Sequence, residues 1–140
     1  MTIEPAVPAS HADLLERALF AHLATVRPDG SPQSNVMWFL WADGRIKMTH
    51  TKSRQKFRNF AHEPRVAISI ADPDDPYRFL EIRGVVETID DDDPQASFYQ
   101  SLQQRYGQRY PITDAPVRVI VTIRPTSFIG VASGRLAQHS

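Results

Sequence analysis

The sequence predicts a mainly β protein, an antiparallel β-barrel with short helices packed on its outside, and three observations predict it. Apolar residues alternate with polar ones in about six or seven stretches, as at Val66, Ile68 and Ile70 or at Val119, Val121 and Ile123. Turn signals such as Pro28-Asp29-Gly30 and Asp43-Gly44 join neighbouring stretches closely enough for hairpins, not for crossover helices. The 3.6-residue helical period appears in only three places, each of them short. The 140 residues support one domain, taken as 1–140.

Ser10 opens the first helical stretch. Leu14, Leu15, Ala18 and Leu19 share its apolar face, and Ser10 and Asp13 are placed to cap its first-turn amides. Residues 21–27 form a strand that leads into the Pro28-Asp29-Gly30 turn. Residues 33–42 read as one long strand, and 45–50 return as its hairpin partner. On that long strand Val36, Trp38 and Leu40 occupy one face, and Met37, Phe39 and Trp41 the other. A strand apolar on both faces needs cover on both. In a small barrel the second cover is another subunit or a flat ligand, which favours a homodimer.

The period then changes. Over residues 53–63, Phe57, Phe60 and Ala61 fall on one helical face, and Pro64 stops the helix. A one-sided strand follows at 65–70, and the Asp72-Pro73-Asp74-Asp75-Pro76 turn leads to a second long strand at 77–89. Asp93 is read as the cap of a third helix, with Pro94 at its first position and Gly107 at its end. Strands at 117–123 and 126–132, on either side of Pro125, complete the sheet.

Composition removes several functions. Sixteen Lys and Arg balance sixteen Asp and Glu, whereas a general nucleic-acid binder needs a net basic surface. With no cysteine there is no zinc ribbon, iron–sulfur site or thiol nucleophile, and the composition fits a reducing, cytoplasmic setting. Residues 1–8 contain Glu4 and two prolines instead of a basic stretch followed by an apolar run. No run of ~18 apolar residues occurs, so no membrane-spanning helix is expected. The five histidines show no i, i+4 pair, the Asp72–Asp75 turn lacks the glycine and glutamate of a calcium loop, and no Gly-x-Ser-x-Gly occurs. No metal is expected.

The informative stretch is Thr49-His50-Thr51-Lys52-Ser53-Arg54-Gln55-Lys56. A helix starting near Ser53 places Lys52, Arg54 and Lys56 around a turn that already carries about half a positive charge and four unpaired amides. Exposed cations there cost about 0.3–1 kcal/mol each. A phosphate resolves the conflict by accepting from the amides, from Thr49, Thr51 or Ser53, and from Arg54 and Lys56. A solvated basic helix end is the alternative. With no nucleophile, metal or acid–base pair beside it, such a cradle suits a cofactor that carries the chemistry itself.

Three segments carry a family resemblance. Ala21-His22-Leu23-Ala24-Thr25-Val26-Arg27-Pro28-Asp29-Gly30-Ser31-Pro32-Gln33 resembles the opening hairpin of the pyridoxamine 5'-phosphate oxidase-like split β-barrels. Lys52-Ser53-Arg54-Gln55-Lys56-Phe57-Arg58-Asn59-Phe60 resembles their phosphate-side helix, and Phe79-Leu80-Glu81-Ile82-Arg83-Gly84-Val85-Val86 a later strand. The similarity spans about residues 12–133. It implies a homodimer with flavin-type cofactors at the subunit interface. It further implies that Ser53, Arg54 and Lys56 hold the cofactor phosphate, to which the reading of the basic helix start adds Lys52 and Thr49 as candidate cofactor-binding residues. Asn35, Val36, Met37 and Trp38 would lie along the ring, and Tyr77, Arg78 and Phe79 would complete the site from the other subunit.

Within the family the chain is most similar to the branch that uses the deazaflavin coenzyme F420. That branch implies a reductase that passes a hydride to a conjugated small-molecule acceptor. FMN in the same fold, as a flavin reductase or oxidase, and a non-catalytic carrier of F420 or flavin are the alternatives. Two departures speak against vitamin B6 oxidation. The strand Ser34-Asn35-Val36-Met37-Trp38-Phe39 lacks the basic residues of true oxidases, and the chain ends soon after Gly134, with Arg135-Leu136 matching their long C-terminal segment only by chance.

Overall fold

The computed structural model describes residues 4–132 and the backbone of 135–139. Residues 1–3, 133, 134 and 140 lie outside the described residues, and with them Gly134 and the start of the 1–8 segment. The strands are β1 (Ala21–Val26), β2 (Pro32–Met37), β3 (Leu40–Ala42), β4 (Arg45–Thr51), β5 (Arg65–Asp72), β6 (Asp75–Asp91), β7 (Arg118–Ala132) and β8 (Arg135–His139). They form one antiparallel sheet in the order β2-β1-β5-β6-β7-β4-β3. β8 extends it beside β4, since β4 takes residues 118–123 of β7 and β8 takes 129–132.

The two ends of that order, β2 and β3, are consecutive in the chain and joined by only Trp38 and Phe39. Met37 and Leu40 are three residue steps apart and so at most ~11 Å from each other, far less than the width of a flat sheet with strands ~4.8 Å apart. The sheet therefore curls until its edges meet without pairing. It is an antiparallel barrel, as the alternation and hairpins predict, and it is split between β2 and β3. Inward residues such as Leu23, Ile46, Ile68, Ile82, Val121 and Phe128 fill it and are almost wholly buried. Each contributes roughly 1.5–3 kcal/mol of transfer free energy. Helices α1 (Asp13–Glu16), α2 (Gln55–His62) and α3 (Ser97–Arg105) lie outside the sheet.

Several expectations need correction. The long strand expected at 33–42 breaks at Trp38-Phe39, because Phe39 turns fully inward. Its N–H donates to Tyr106 Oη (3.1 Å), and its carbonyl accepts from Arg105 Nε (3.2 Å), so neither joins the ladder. The first helix is shorter than expected. The chain is already extended at Arg17 (φ −82°, ψ 150°), and Arg105 and Tyr106 hold the segment there by donating to the carbonyls of Arg17 (2.8 Å) and Leu19 (2.5 Å). Ser10 binds His11 Nδ1 (2.7 Å) and caps nothing.

The third helix begins at Ser97, not at Pro94, and Asp92 shares the capping role given to Asp93. β7 runs unbroken through Pro125, which sits at a bulge opposite Gly84. A Cβ at Gly84 would stand 2.8 Å from Ile123 Cγ2 and 2.9 Å from the Arg124 carbonyl, so only glycine allows this approach. β8 is a strand that the sequence pattern does not announce.

Candidate functional site

Where the barrel splits, β2 and the residue after it form one wall of a cleft of about 330 Å³. Asn35, Val36, Met37 and Trp38 supply this wall. The end of β4 contributes Thr49, His50 and Thr51, and the start of α2 contributes Arg54 and Lys56. Tyr99 of α3 and Arg118 of β7 close it. One end is thus cationic and the other apolar and aromatic. A larger groove of about 550 Å³ follows α3, but it is lined mainly by glutamine and serine side chains and gathers no comparable charge.

The cationic end follows from how α2 begins. Arg54 occupies the N-cap position in extended conformation (φ −88°, ψ 154°), without a side-chain cap, and no acidic residue lies in the first turn. Among the described residues neither Arg54 nor Lys56 has a carboxylate within ion-pair distance, although Lys56 is 7% exposed. Burial, and then the charge of Arg54, lower the pKa of Lys56. The Arg118 guanidinium lies over the Tyr99 ring, its Cζ 3.6 Å from the ring centre. Its Nε donates to Asp114 (3.0 Å) and its Nη1 to Thr49 Oγ1 (3.4 Å).

His50 lies under this cluster. Alternation along β4 turns Ile46, Met48 and His50 inward, so an imidazole occupies the last position of an apolar row. Burial, and then the charges of Lys56, Arg54 and Arg118, push its pKa down to about 3. The ring is neutral at physiological pH.

The other end is fixed by amides and aromatic rings. Asn59, fully buried on α2, donates to Thr25 Oγ1 (2.9 Å) and to Gln33 Oε1 (3.0 Å). Gln33 donates in turn to Asn35 Oδ1 (3.2 Å). With the oxygen of Asn35 engaged, its amide N–H groups are the donors it has left in the cleft. Trp38 stacks on Tyr106, with ring centres 5.1 Å apart and planes 13° apart, and Tyr110 lies 6.2 Å away on Trp38.

Seven of the expected residues meet at the cleft: Asn35, Val36, Met37, Trp38, Thr49, Arg54 and Lys56. Lys52 turns to Asp91 (2.8 Å), and Ser53 lies outside the lining, its hydroxyl 3.4 Å from that of Thr51. Tyr77, Arg78 and Phe79 are away from the cleft of this protomer. Tyr77 is exposed, Arg78 is ion-paired with Asp13 and Asp72, and Phe79 lines a separate groove with His22 and Ser34. Sequence reasoning gave no role to His50, Tyr99 or Arg118. The inward phase of β4 could have found His50, but Arg118 reaches the cleft only through its pairing opposite Thr51.

Among the described residues no group of three or more His, Asp or Glu side chains could hold a metal ion. None of their helices is long and apolar enough to cross a membrane.

Comparison with known proteins fits this geometry. The pyridoxamine 5'-phosphate oxidase family profile matches residues 7–132. A solved structure described as an F420 reductase is 52% identical, with a TM-score of 0.84 over 87% of this chain and 98% of that one. A conserved hypothetical protein of Mycobacterium tuberculosis is 28% identical, with a TM-score of 0.71 over 91% of this chain and 85% of its own. A pyridoxamine 5'-phosphate oxidase-related, FMN-binding protein of Nostoc punctiforme, 15% identical, shares the fold with a TM-score of 0.65 over 89% of this chain and 84% of its own. No curated protein matches the chain.

Proposed function

The chain belongs to the pyridoxamine 5'-phosphate oxidase family, and on that premise we propose that it is an F420-dependent reductase acting on a conjugated small-molecule acceptor. The observation that carries the reading is the uncompensated cation pair Arg54 and Lys56 at one end of a cleft whose other end is apolar and aromatic. A flat ring bearing a phosphate has this division of character. The 52% identity to a protein described as an F420 reductase supports the deazaflavin over other ring systems.

Arg54, Lys56 and Arg118 bind the phosphate, assisted by Thr49 and the free amides at the start of α2. Val36, Met37 and Trp38 cover the ring and exclude water, and Asn35 donates to its polar edge. The bound reduced deazaflavin supplies a hydride for two-electron reduction of the acceptor. No side chain is needed as a nucleophile. Lys52 and Ser53 stand at the rim, where they contribute at most a second layer around the phosphate.

The working unit is a homodimer with the acceptor site completed by the second protomer. Val36 at 59% exposure and Tyr77 at 68% are large apolar surfaces suited to such cover. Tyr77 and Phe79 are the residues of the expected trio still open to a partner's site, because the guanidinium of Arg78 is engaged by its own protomer. The setting proposed for it is the cytoplasm.

FMN is the second reading, because the same cations accept its phosphate. Side-by-side fluorescence titration with F420 and FMN tests the proposal. Tighter binding of F420, together with F420H2-dependent reduction of enones or quinones, is the expected result. Preference for FMN with flavin-dependent turnover would replace the first reading by the second. Tight F420 binding without turnover would make the protein a carrier.

A further inference from the structure

Among the described residues, Nε2 of His50 is the one buried side-chain nitrogen or oxygen without a hydrogen-bond partner. Such an atom is costly to leave unpaired, and an apolar side chain would fill the end of the Ile46-Met48 row without that cost. The ring meets Phe60 edge-on, with centres 6.3 Å apart, and sits opposite Val119 on β7. The groups that face it across the cleft are Arg54 and Lys56 of α2, Arg118 of β7 and Tyr99 of α3. No carboxylate is among them. Arg54, Lys56 and Arg118 are hydrogen-bond donors, yet none of them reaches Nε2, so with the ring proton on Nε2 its partner is an acceptor that enters from outside.

We propose that His50 is a cofactor-binding residue, whose neutral imidazole donates Nε2–H to an oxygen of the phosphate gripped by Arg54, Lys56 and Arg118. The site then gains a fourth donor without gaining a fourth charge. The inference rests on the reading that this cleft holds a phosphate-bearing cofactor. It adds a residue outside the Lys52–Phe60 helix segment, supplied by the strand floor instead of the helix.

The test compares the unsubstituted protein with His50→Phe, which keeps the ring and its contact with Phe60 but loses the donor, and with His50→Gln, which restores a neutral N–H. F420 and FMN affinities are measured by fluorescence. The ring nitrogens of His50 are followed by NMR in the free protein, with inorganic phosphate alone, and with each cofactor. The expected result is about a 10- to 100-fold weaker Kd for His50→Phe, the range for a hydrogen bond to a charged group. His50→Gln should recover most of it. In the unsubstituted protein the Nε2 resonance should move on phosphate or cofactor binding while its proton is retained.

Equal affinity of His50→Phe and the unsubstituted protein, or ring nitrogens unmoved on loading, would overturn the role of His50 and leave the functional reading standing. Failure of the unsubstituted protein to bind either cofactor would overturn the functional reading and the role of His50 with it.

Discussion

At the start of α3, Asp92 accepts the N–H groups of Phe98 and Tyr99 (3.2 and 3.1 Å), and Asp93 accepts those of Gln95 and Ser97 (3.1 and 2.9 Å). At the start of α2 there is no side-chain cap and no acid, and Arg54 and Lys56 stand there instead. Both helices are short, both lie on the same barrel, and their N-terminal residues Lys56 and Tyr99 line the same cleft. Local capping rules apply to each equally. α3 satisfies them within the chain and so needs no ligand. α2 violates them, and the violation coincides with the orphaned nitrogen of His50. These two defects meet in one cleft, and the anion proposed for it would complete both.

The strongest way to break this contrast is to remove the cations. Arg54→Ala combined with Lys56→Ala should weaken cofactor binding by on the order of 10²–10⁴-fold, at about 1.5–3 kcal/mol for each charged hydrogen bond. The thermal midpoint of the free protein should hold or rise, since two mutually repelling charges are gone. Titration alongside a thermal melt reads both. Arg54→Asp goes further by giving α2 the N-cap it lacks. It should stabilise the free protein by about 0.5–2 kcal/mol in denaturant unfolding and at the same time weaken cofactor binding at least tenfold.

The converse substitution acts on α3. Asp92→Ala should lower stability by about 0.5–2 kcal/mol while changing cofactor affinity much less than the double substitution does. A comparable loss of affinity would mean that the cap of α3, through Tyr99 and Arg118, matters as much as the cations themselves.

Acid adds charge to the cleft. The pKa of His50 is about 3 in the folded protein against 6.5 for the unperturbed ring, so below about pH 6.5 the unfolded chain takes a proton that the folded chain refuses. Stability attributable to this ring should therefore decline as pH falls from about 6.5 toward 3, by up to about 1.4 kcal/mol per pH unit. Asp13 and Asp72, lowered by hydrogen bonds from Arg78 and from the Asp74 backbone respectively, add their own loss only below about pH 4. Denaturant midpoints between pH 6.5 and 4.5 should show a shallower slope in His50→Leu. The smallest effect belongs to Lys52→Ala. Its amine is paired with Asp91 on the surface, so cofactor affinity should change by less than about threefold.

Local chemistry left legible traces of much of this. Alternation at Val66, Ile68 and Ile70 reported an inward face directly, because side chains on a strand alternate by geometry alone. The mismatch between Arg54, Lys56 and a helix start was visible because the macrodipole is a local property. The break at Phe39 was not visible. It depends on Tyr106 and Arg105, which reach back from α3 to take the backbone groups of Phe39 out of the ladder.

The sequence by itself determined an antiparallel barrel, the place of its tight turns and an unneutralised helix start, since each follows from interactions between residues close in the chain. Tertiary structure alone decided that the barrel splits between β2 and β3 and that Arg118 stacks on Tyr99 above the cleft. It alone decided, too, that Lys52 faces away from the cleft and that no group among the described residues reaches His50 Nε2. Those outcomes depend on which distant strands pair and in which register. A shift of one residue would turn every side chain of a strand to its opposite face, and only the packed whole selects among the registers.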